Sequence, residues 1–227
     1  MPAKFRAFVQ LLRLPNVFTA VADPLAGWFL IGGGEPAWHI VLLVATSACL
    51  YTAGIVLNDC FDYRLDCRER PERPLPSGAV SRRTTWVLGT VLMLTGLACA
   101  AVVSLPVFAL AGFIAAMILF YNAWAKRFAV LGPLALGTCR FANFLLGMRC
   151  LPAHLWYAPV ILGVYVAVLT YIARSEVINP SVRLTVKRLL LGIIVLDAIL
   201  ANDPVGSVLI LSLLIPATVL GKLIQMT

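Results

Sequence analysis

Continuous apolar segments, each about twenty residues long, constrain this chain more than any other feature of its sequence. They lie at 15–31, 40–58, 85–104, 106–123, 131–149, 154–174, 185–201 and 205–221. A segment of about 20 apolar residues can cross a bilayer as a helix, whereas a transmembrane β-barrel shows segments of roughly ten residues that alternate in polarity. The sequence therefore predicts an all-α fold, a polytopic transmembrane bundle of about eight spans, in a single domain over residues 1–227.

The composition excludes several other classes of protein. Apolar residues make up 61% of the chain and charged residues 12%, against about 45–50% and 25% in a soluble domain. These values exclude a water-soluble globule and a disordered chain. In a soluble protein the net charge of +8 would suggest nucleic acid. In a membrane protein it reflects basic loops, so we expect no nucleic-acid partner.

The distribution of basic residues predicts an orientation. If the eight spans alternate in direction, every lysine and arginine except Arg140 and Arg149 lies on one side of the membrane. Basic residues collect in cytoplasmic loops, so we expect both termini on the cytoplasmic side of the cell membrane. An even number of spans agrees with termini on one side. The longest polar stretch, 58–83, would also face the cytoplasm, and chemistry is expected there.

Three carboxylates follow the second span at a helical spacing. Asp59, Asp62 and Asp66 are separated by three and four residues, so they share one face if the helix continues. Carboxylates held together repel each other unless a cation joins them, and Mg²⁺ prefers oxygen ligands. The alternative is a solvated helix end with scattered charge, but acidic residues at a membrane boundary are costly without a function.

The loop after these acids is rich in arginine and proline. Arg70 and Arg73 can bind phosphate oxygens with two parallel hydrogen bonds, and Pro71, Pro74 and Pro76 stiffen the loop around them. Carboxylates followed by arginines in a rigid loop are typical of a site for a metal ion and a diphosphate.

Two motifs and the start of the first span resemble the UbiA-type intramembrane prenyltransferases. The family's first aspartate-rich motif is similar to Asn58-Asp59-x-x-Asp62-x-x-x-Asp66 with the following Arg70-Pro71-x-Arg73-Pro74-x-Pro76-Ser77-Gly78. Its tyrosine and Lys-Arg pair after the fourth helix resemble Tyr121-Asn122-x-x-x-Lys126-Arg127, and its first-helix start resembles Arg13-x-Pro15-Asn16. The resemblance covers essentially the whole chain.

This resemblance implies a helical bundle around a central cavity. It implies transfer of an isoprenyl group from an allylic diphosphate to a small-molecule or lipid acceptor, with Mg²⁺ as the cofactor. The implied Mg²⁺ ligands are Asp59, Asp62 and Asp66. The implied catalytic residues are Asp59, Asp62, Tyr121, Lys126 and Arg127. The implied substrate-binding residues are Asn16, Asn58, Arg70, Arg73, Arg174 and Glu176.

The chain departs from the family pattern in two ways. The family has a second aspartate-rich motif between helices six and seven, where residues 172–180 of this chain contain one acid, Glu176. The family also has nine helices, against eight predicted spans. We therefore expect one Mg²⁺ at the first motif, with the far side of the diphosphate bound by Lys126, Arg127 and Arg174. Glu176 would orient one of these basic groups.

Polar residues also occur inside the spans. Arg140 and Asn143 lie one turn apart in the fifth span, and an arginine in lipid is costly. We predict that both face the cavity and bind substrate; the alternative is an internal pair with Asp23. Asp197, near the end of its span, is expected to reach out to the membrane surface.

Two rival functions remain at this point. One is a non-catalytic isoprenoid or lipid-phosphate binding protein, or a transport partner, that retains the first aspartate motif. The other is a solute transporter, which would show inverted repeats with paired broken helices; no such symmetry is visible. The sequence leaves open the prenyl chain length, the acceptor and the oligomeric state.

Overall fold

The computed structural model describes residues 3–34, 36–149, 152–174 and 182–223, and those residues fold into helices without β-strands. The helices are α1 (Ala3–Leu12), α2 (Leu14–Leu30), α3 (His39–Phe61), α4 (Tyr63–Glu69), α5 (Arg82–Val103), α6 (Leu105–Ala123), α7 (Leu131–Met148), α8 (Tyr157–Arg174), α9 (Val182–Leu200), α10 (Pro204–Ser212) and α11 (Leu214–Leu223). A short 3₁₀ turn, Ala125–Arg127, follows α6. The predicted all-α fold is confirmed.

Each predicted apolar segment overlaps a helix, and the last one overlaps both α10 and α11. Among the described residues, five helical stretches are long and apolar enough to cross a membrane. They are His39–Phe61, Arg82–Val103, Leu105–Ala123, Tyr157–Arg174 and Pro204–Lys222. The chain is thus a multi-pass helical protein, while the count of eight spans and the side of the termini stay predictions.

Local side-chain chemistry sets where the long helices begin. Ser81 and Ser104 are extended residues whose hydroxyls accept hydrogen bonds from the backbone N–H groups of Thr84 and Val107, at 3.0 and 3.3 Å. Such caps satisfy N–H groups that the first turn of a helix leaves free. Pro106 lies in the first turn of α6, where its missing N–H costs nothing.

Large apolar side chains cover the outer surface of the bundle. Leu105, Ile199, Val205 and Val208 each expose more than two thirds of their surface. In water such extensive apolar exposure would drive association. On a membrane protein it is the surface that contacts lipid, and the backbone hydrogen bonds are satisfied inside each helix.

Helices α2 and α7 pack very closely because glycines lie where they meet. A Cβ atom added to Gly27 would overlap the carbonyl oxygen of Phe144, and one added to Gly147 would overlap that of Pro24. Absence of a side chain at both positions lets the two backbones approach, as small residues do in membrane helix pairs. This contact brings the polar residues of α2 and α7 against each other.

We expect Gly147→Ala to lower the melting temperature of the detergent-solubilised protein by several degrees. The added methyl group collides with backbone, which cannot move aside as a side chain would, and overpacking costs about 1–3 kcal/mol. Gly112→Ala in α6 is the matched control, because nothing lies within 4 Å of its added Cβ. Equal melting temperatures for the two variants would contradict the close α2–α7 contact.

Candidate functional site

The three aspartates lie around a break between α3 and α4. Asp62 separates the helices, with φ −86° and ψ 0°. The helical hydrogen bonds continue across the break, from Asp62 N to Asn58 O (2.9 Å) and from Asp66 N to Asp62 O (2.8 Å). Asp59 and Asp66 are each 4% exposed, and Asp62 is partly exposed. We call Asp59, Asp62 and Asp66 the acidic cluster.

Two arginines bind the buried acids of this cluster. Arg73 Nη1 donates to both carboxylate oxygens of Asp66, at 3.0 and 2.8 Å, and lies 3.9 Å from Asp59 Oδ1. Arg13 Nη2 donates to Asp59 Oδ1 at 3.1 Å. Arg13 has a left-handed backbone (φ 45°, ψ 46°), rare for a residue with a side chain, and forms the one-residue joint between α1 and α2.

A lysine from the 3₁₀ turn after α6 binds the third acid. Lys126 Nζ lies 2.6 Å from Asp62 Oδ1 and donates to Asn58 Oδ1 at 3.1 Å. It also lies 5.9 Å from the centre of the Phe61 ring. Residues from the start of α2, the end of α3, the loop after α4 and the turn after α6 therefore meet at one place.

The acidic cluster has the right ligand type for Mg²⁺, but its carboxylates are occupied by basic side chains. In the part of the chain that the structure describes, no three acidic, histidine or cysteine side chains are arranged to hold a metal ion. Asp59 and Asp66 nevertheless lie around one cation, because Arg73 Nη1 is 2.8 Å from Asp66 Oδ2 and 3.9 Å from Asp59 Oδ1. Since Mg²⁺ is usually held by one or two carboxylates together with substrate phosphates, the residues present fit this ion.

Two spaces that share three lining residues lie beside the acidic cluster. The inner cavity, about 260 Å³, lies among the helices and is lined by Arg13, Ser47, Leu50, Tyr51, Gly54, Ile55, Asn58, Ile114, Ile118, Tyr121, Asn122, Leu136, Cys139, Arg140, Asn143, Val166, Leu169, Thr170, Leu190 and Ile193. The outer pocket, about 450 Å³, is lined by Asn58, Phe61, Asp62, Leu65, Tyr121, Asn122, Ala123, Lys126 and Arg127. Both share Asn58, Tyr121 and Asn122, so the mostly apolar inner cavity adjoins the charged outer pocket.

A second polar group lies deeper in the bundle. Arg140 Nη1 donates to both oxygens of Asp23, at 3.1 and 3.0 Å, and to Thr19 O at 2.8 Å. Asn143 Nδ2 donates to Asp23 Oδ2 at 2.7 Å and to Ala20 O at 2.9 Å. The internal pair with Asp23 is therefore present, while Arg140 and Asn143 still line the inner cavity. Substrate binding by these two residues stays a prediction.

Three other predicted residues, Arg174, Arg70 and Asn16, line neither the inner cavity nor the outer pocket. Arg174 is exposed and its Nη1 donates to the backbone oxygens of Lys126 and Phe128, both at 3.1 Å. It thereby ties the end of α8 to the turn that carries Lys126. Arg70 is exposed at the end of α4, and Asn16 lies in the first turn of α2. Glu176 lies outside the described residues.

Sequence reasoning missed three parts of this arrangement. Arg13, which the sequence places only in the motif at the start of the first helix, binds Asp59. Asn122 lines both spaces and donates to Gly54 O at 3.1 Å. The prediction that Asp197 reaches the membrane surface is wrong, because its side chain is fully buried. An acidic residue within an apolar span usually faces the interior of the bundle, so the sequence did contain a signal for the buried position of Asp197.

Comparison with known proteins bears on this site. The model of the UbiA prenyltransferase family matches residues 20–173. A digeranylgeranylglyceryl phosphate synthase from Thermococcus gammatolerans is 38% identical over 125 residues, which is 55% of this chain and 45% of that protein. The synthase of the same name from Methanothrix thermoacetophila is 30% identical over 140 residues, 61% of this chain and 52% of that protein. The chain thus spans about half the length of these curated relatives.

Solved structures share the fold at lower identity. A UbiA homologue from Archaeoglobus fulgidus bound to DMAPP and Mg²⁺ superposes with a TM-score of 0.67 and 18% identity, over 95% of this chain and 87% of that one. A structure of digeranylgeranylglyceryl phosphate synthase gives the same TM-score over 92% of this chain and 79% of that one. With the family match over most of its helices, the chain belongs to the UbiA prenyltransferase family.

Proposed function

We propose that this protein transfers an isoprenyl group from an allylic diphosphate to an acceptor, with Mg²⁺, inside the membrane. One observation carries the proposal: the mostly apolar inner cavity adjoins the charged outer pocket through Asn58, Tyr121 and Asn122. Such a space suits a substrate with an apolar chain and a charged head, because the chain lies among apolar side chains while the diphosphate meets charged ones.

The acidic cluster would hold the metal ion. Asp59, Asp62 and Asp66 supply oxygen ligands, and bound Mg²⁺ neutralises charge on the diphosphate oxygens. Arg13, Arg73 and Lys126 bind these carboxylates, so positive groups that could bind the phosphate oxygens lie beside the acids that would hold the metal ion. This arrangement fits a site in which the acidic side chains bind the metal ion and the basic side chains bind the diphosphate.

The chemistry then requires stabilisation of two opposite charges. As the bond between the allylic carbon and its oxygen breaks, the electron pair leaves with the diphosphate, where Arg73 and Lys126 stabilise it. The carbon becomes an allylic cation at the junction of the two spaces, beside the ring of Tyr121. An aromatic face stabilises such a cation. The acceptor forms the new bond to this carbon and releases a proton.

The acceptor is proposed only as a class. The relatives are named for digeranylgeranylglyceryl phosphate, a glyceryl phosphate that carries isoprenoid chains. Because the chain spans about half of their length, we take from them only a lipid or small-molecule acceptor that reaches the cavity from the membrane.

Incubation of the purified protein with Mg²⁺ and a labelled isoprenyl diphosphate tests the proposal. Prenyl transfer predicts diphosphate release that depends on Mg²⁺, and a labelled product with at least one of the lipid or small-molecule acceptors offered, among them a glyceryl phosphate that carries an isoprenoid chain. Chelation of Mg²⁺ by EDTA is the control. The non-catalytic binding function would be supported instead if the protein binds the isoprenyl diphosphate but produces no free diphosphate with any donor chain length or acceptor.

We also propose that the outer pocket lies on the cytoplasmic face of the cell membrane. In a background without the six native cysteines, a membrane-impermeant thiol reagent should label Gly33→Cys and Asp203→Cys in intact cells. Arg73→Cys and Lys126→Cys should react only after the membrane is permeabilised. The reason is that all but two of the basic residues fall on the side of Arg73. Labelling of Arg73→Cys in intact cells would contradict the orientation.

A further inference from the structure

Two carboxyl groups lie buried in the middle of the bundle and outside the proposed metal site. Asp23 on α2 and Asp197 on α9 are both fully buried. Asp23 accepts hydrogen bonds from Arg140 and Asn143. Neither oxygen of Asp197 receives a hydrogen bond from a donor in the described residues. Helix α9 packs against α2, which brings the Asp23 carboxyl within hydrogen-bond reach of Asp197, and Arg140 is the neighbouring charge.

Contact between two carboxyl groups requires a proton. Ionised carboxylates only accept hydrogen bonds, so a bond between two of them forms only when one carries a proton. A second negative charge at Asp197 would be buried beside the first, with Arg140 as the shared cation, and no hydrogen bond would stabilise it. Tyr51, whose ring lies 5.1 Å from the guanidinium carbon of Arg140, adds no positive charge.

We propose that Asp23 and Asp197 form a buried proton site, in which Asp197 carries the proton and donates it to Asp23. Asp23 is the ionised partner, because two side chains already donate to it. The group formed by Asp23, Asp197 and Arg140 is then neutral and joins α2, α7 and α9. It also fixes Arg140 at the wall of the inner cavity. This proposal is independent of prenyl transfer.

Infrared spectroscopy tests the proton directly. The C=O stretching band of a protonated carboxylic acid lies apart from the amide and carboxylate bands. At neutral pH the wild-type protein should show this band, and Asp197→Asn should lack it. Glu69→Gln removes an exposed acid on α4 and should leave the band unchanged. Equal bands in wild type and Asp197→Asn would mean that Asp197 is ionised, which overturns the proposal.

Thermal unfolding gives a second, independent readout. Asp197→Asn keeps a donor toward Asp23, so its melting temperature should stay within about 3 °C of the wild type. Asp197→Leu has no donor and should melt at least about 5 °C lower, or fail to fold, because it removes a buried hydrogen bond to a charged group. If Asp197→Asn is destabilised as much as Asp197→Leu, the donating proton does not exist.

Discussion

Asp62→Asn should lower the rate of Mg²⁺-dependent diphosphate release by on the order of 10²–10³-fold while leaving the protein folded. Asp62 is the partly exposed member of the acidic cluster, it faces the outer pocket, and it pairs with Lys126 at 2.6 Å. Its loss therefore removes a proposed metal ligand and leaves the ammonium group of Lys126 without its carboxylate partner. The measurement is the initial rate of release, together with Mg²⁺-dependent binding of the isoprenyl diphosphate.

Glu69→Gln is the matched control for this variant. It makes the same acid-to-amide change seven residues along the chain, at an exposed position at the end of α4. Its rate and diphosphate affinity should equal those of the wild type. If Asp62→Asn keeps the Mg²⁺-dependent affinity of the wild type, the acidic cluster is not the metal site.

Arg140→Met should destabilise the folded protein by about 3–5 kcal/mol, because it leaves the charge of Asp23 buried without a cation. Asp23 is fully buried and takes two of its hydrogen bonds from Arg140. The melting temperature in detergent, followed by tryptophan fluorescence, should fall by on the order of 10 °C. Arg83→Met, at an exposed position at the start of α5, is the control and should leave the melting temperature unchanged.

A second change should reverse most of this loss. With Asp23→Asn added to Arg140→Met, no charge remains to be neutralised, so replacement of the whole pair costs less than loss of one partner. We expect the double variant to melt well above the single Arg140→Met variant. A double variant that is less stable than the single one would show that Arg140 acts through packing alone and not as the partner of Asp23.

The sequence predicted those features that depend on local pattern. The long apolar segments located the helices, and the spacing of Asp59, Asp62 and Asp66 located the acidic end of α3. It did not predict that the helix would break at Asp62. Even so, the hydrogen bonds that continue across the break keep the three acids in one region.

What escaped prediction depends on how the helices are rotated against one another. The contact between Asp197 and Asp23 joins α9 to α2, which are more than 150 residues apart in the chain. The rotation of α2 against α7 follows from the contacts of Gly27 and Gly147 with backbone oxygens. The residue pattern within one helix does not predict which residues of another helix it will contact, so these contacts are seen only in the folded structure.

Structure determination with Mg²⁺ and a non-reactive thio-diphosphate analogue tests the central claim most directly. We expect one Mg²⁺ bound by oxygens of Asp59, Asp62 and Asp66, the diphosphate among Arg13, Arg73 and Lys126, and the isoprenyl chain in the inner cavity beside Leu50 and Ile193. A diphosphate bound away from the acidic cluster, or two metal ions bridged by it with one on Glu176, would contradict the account.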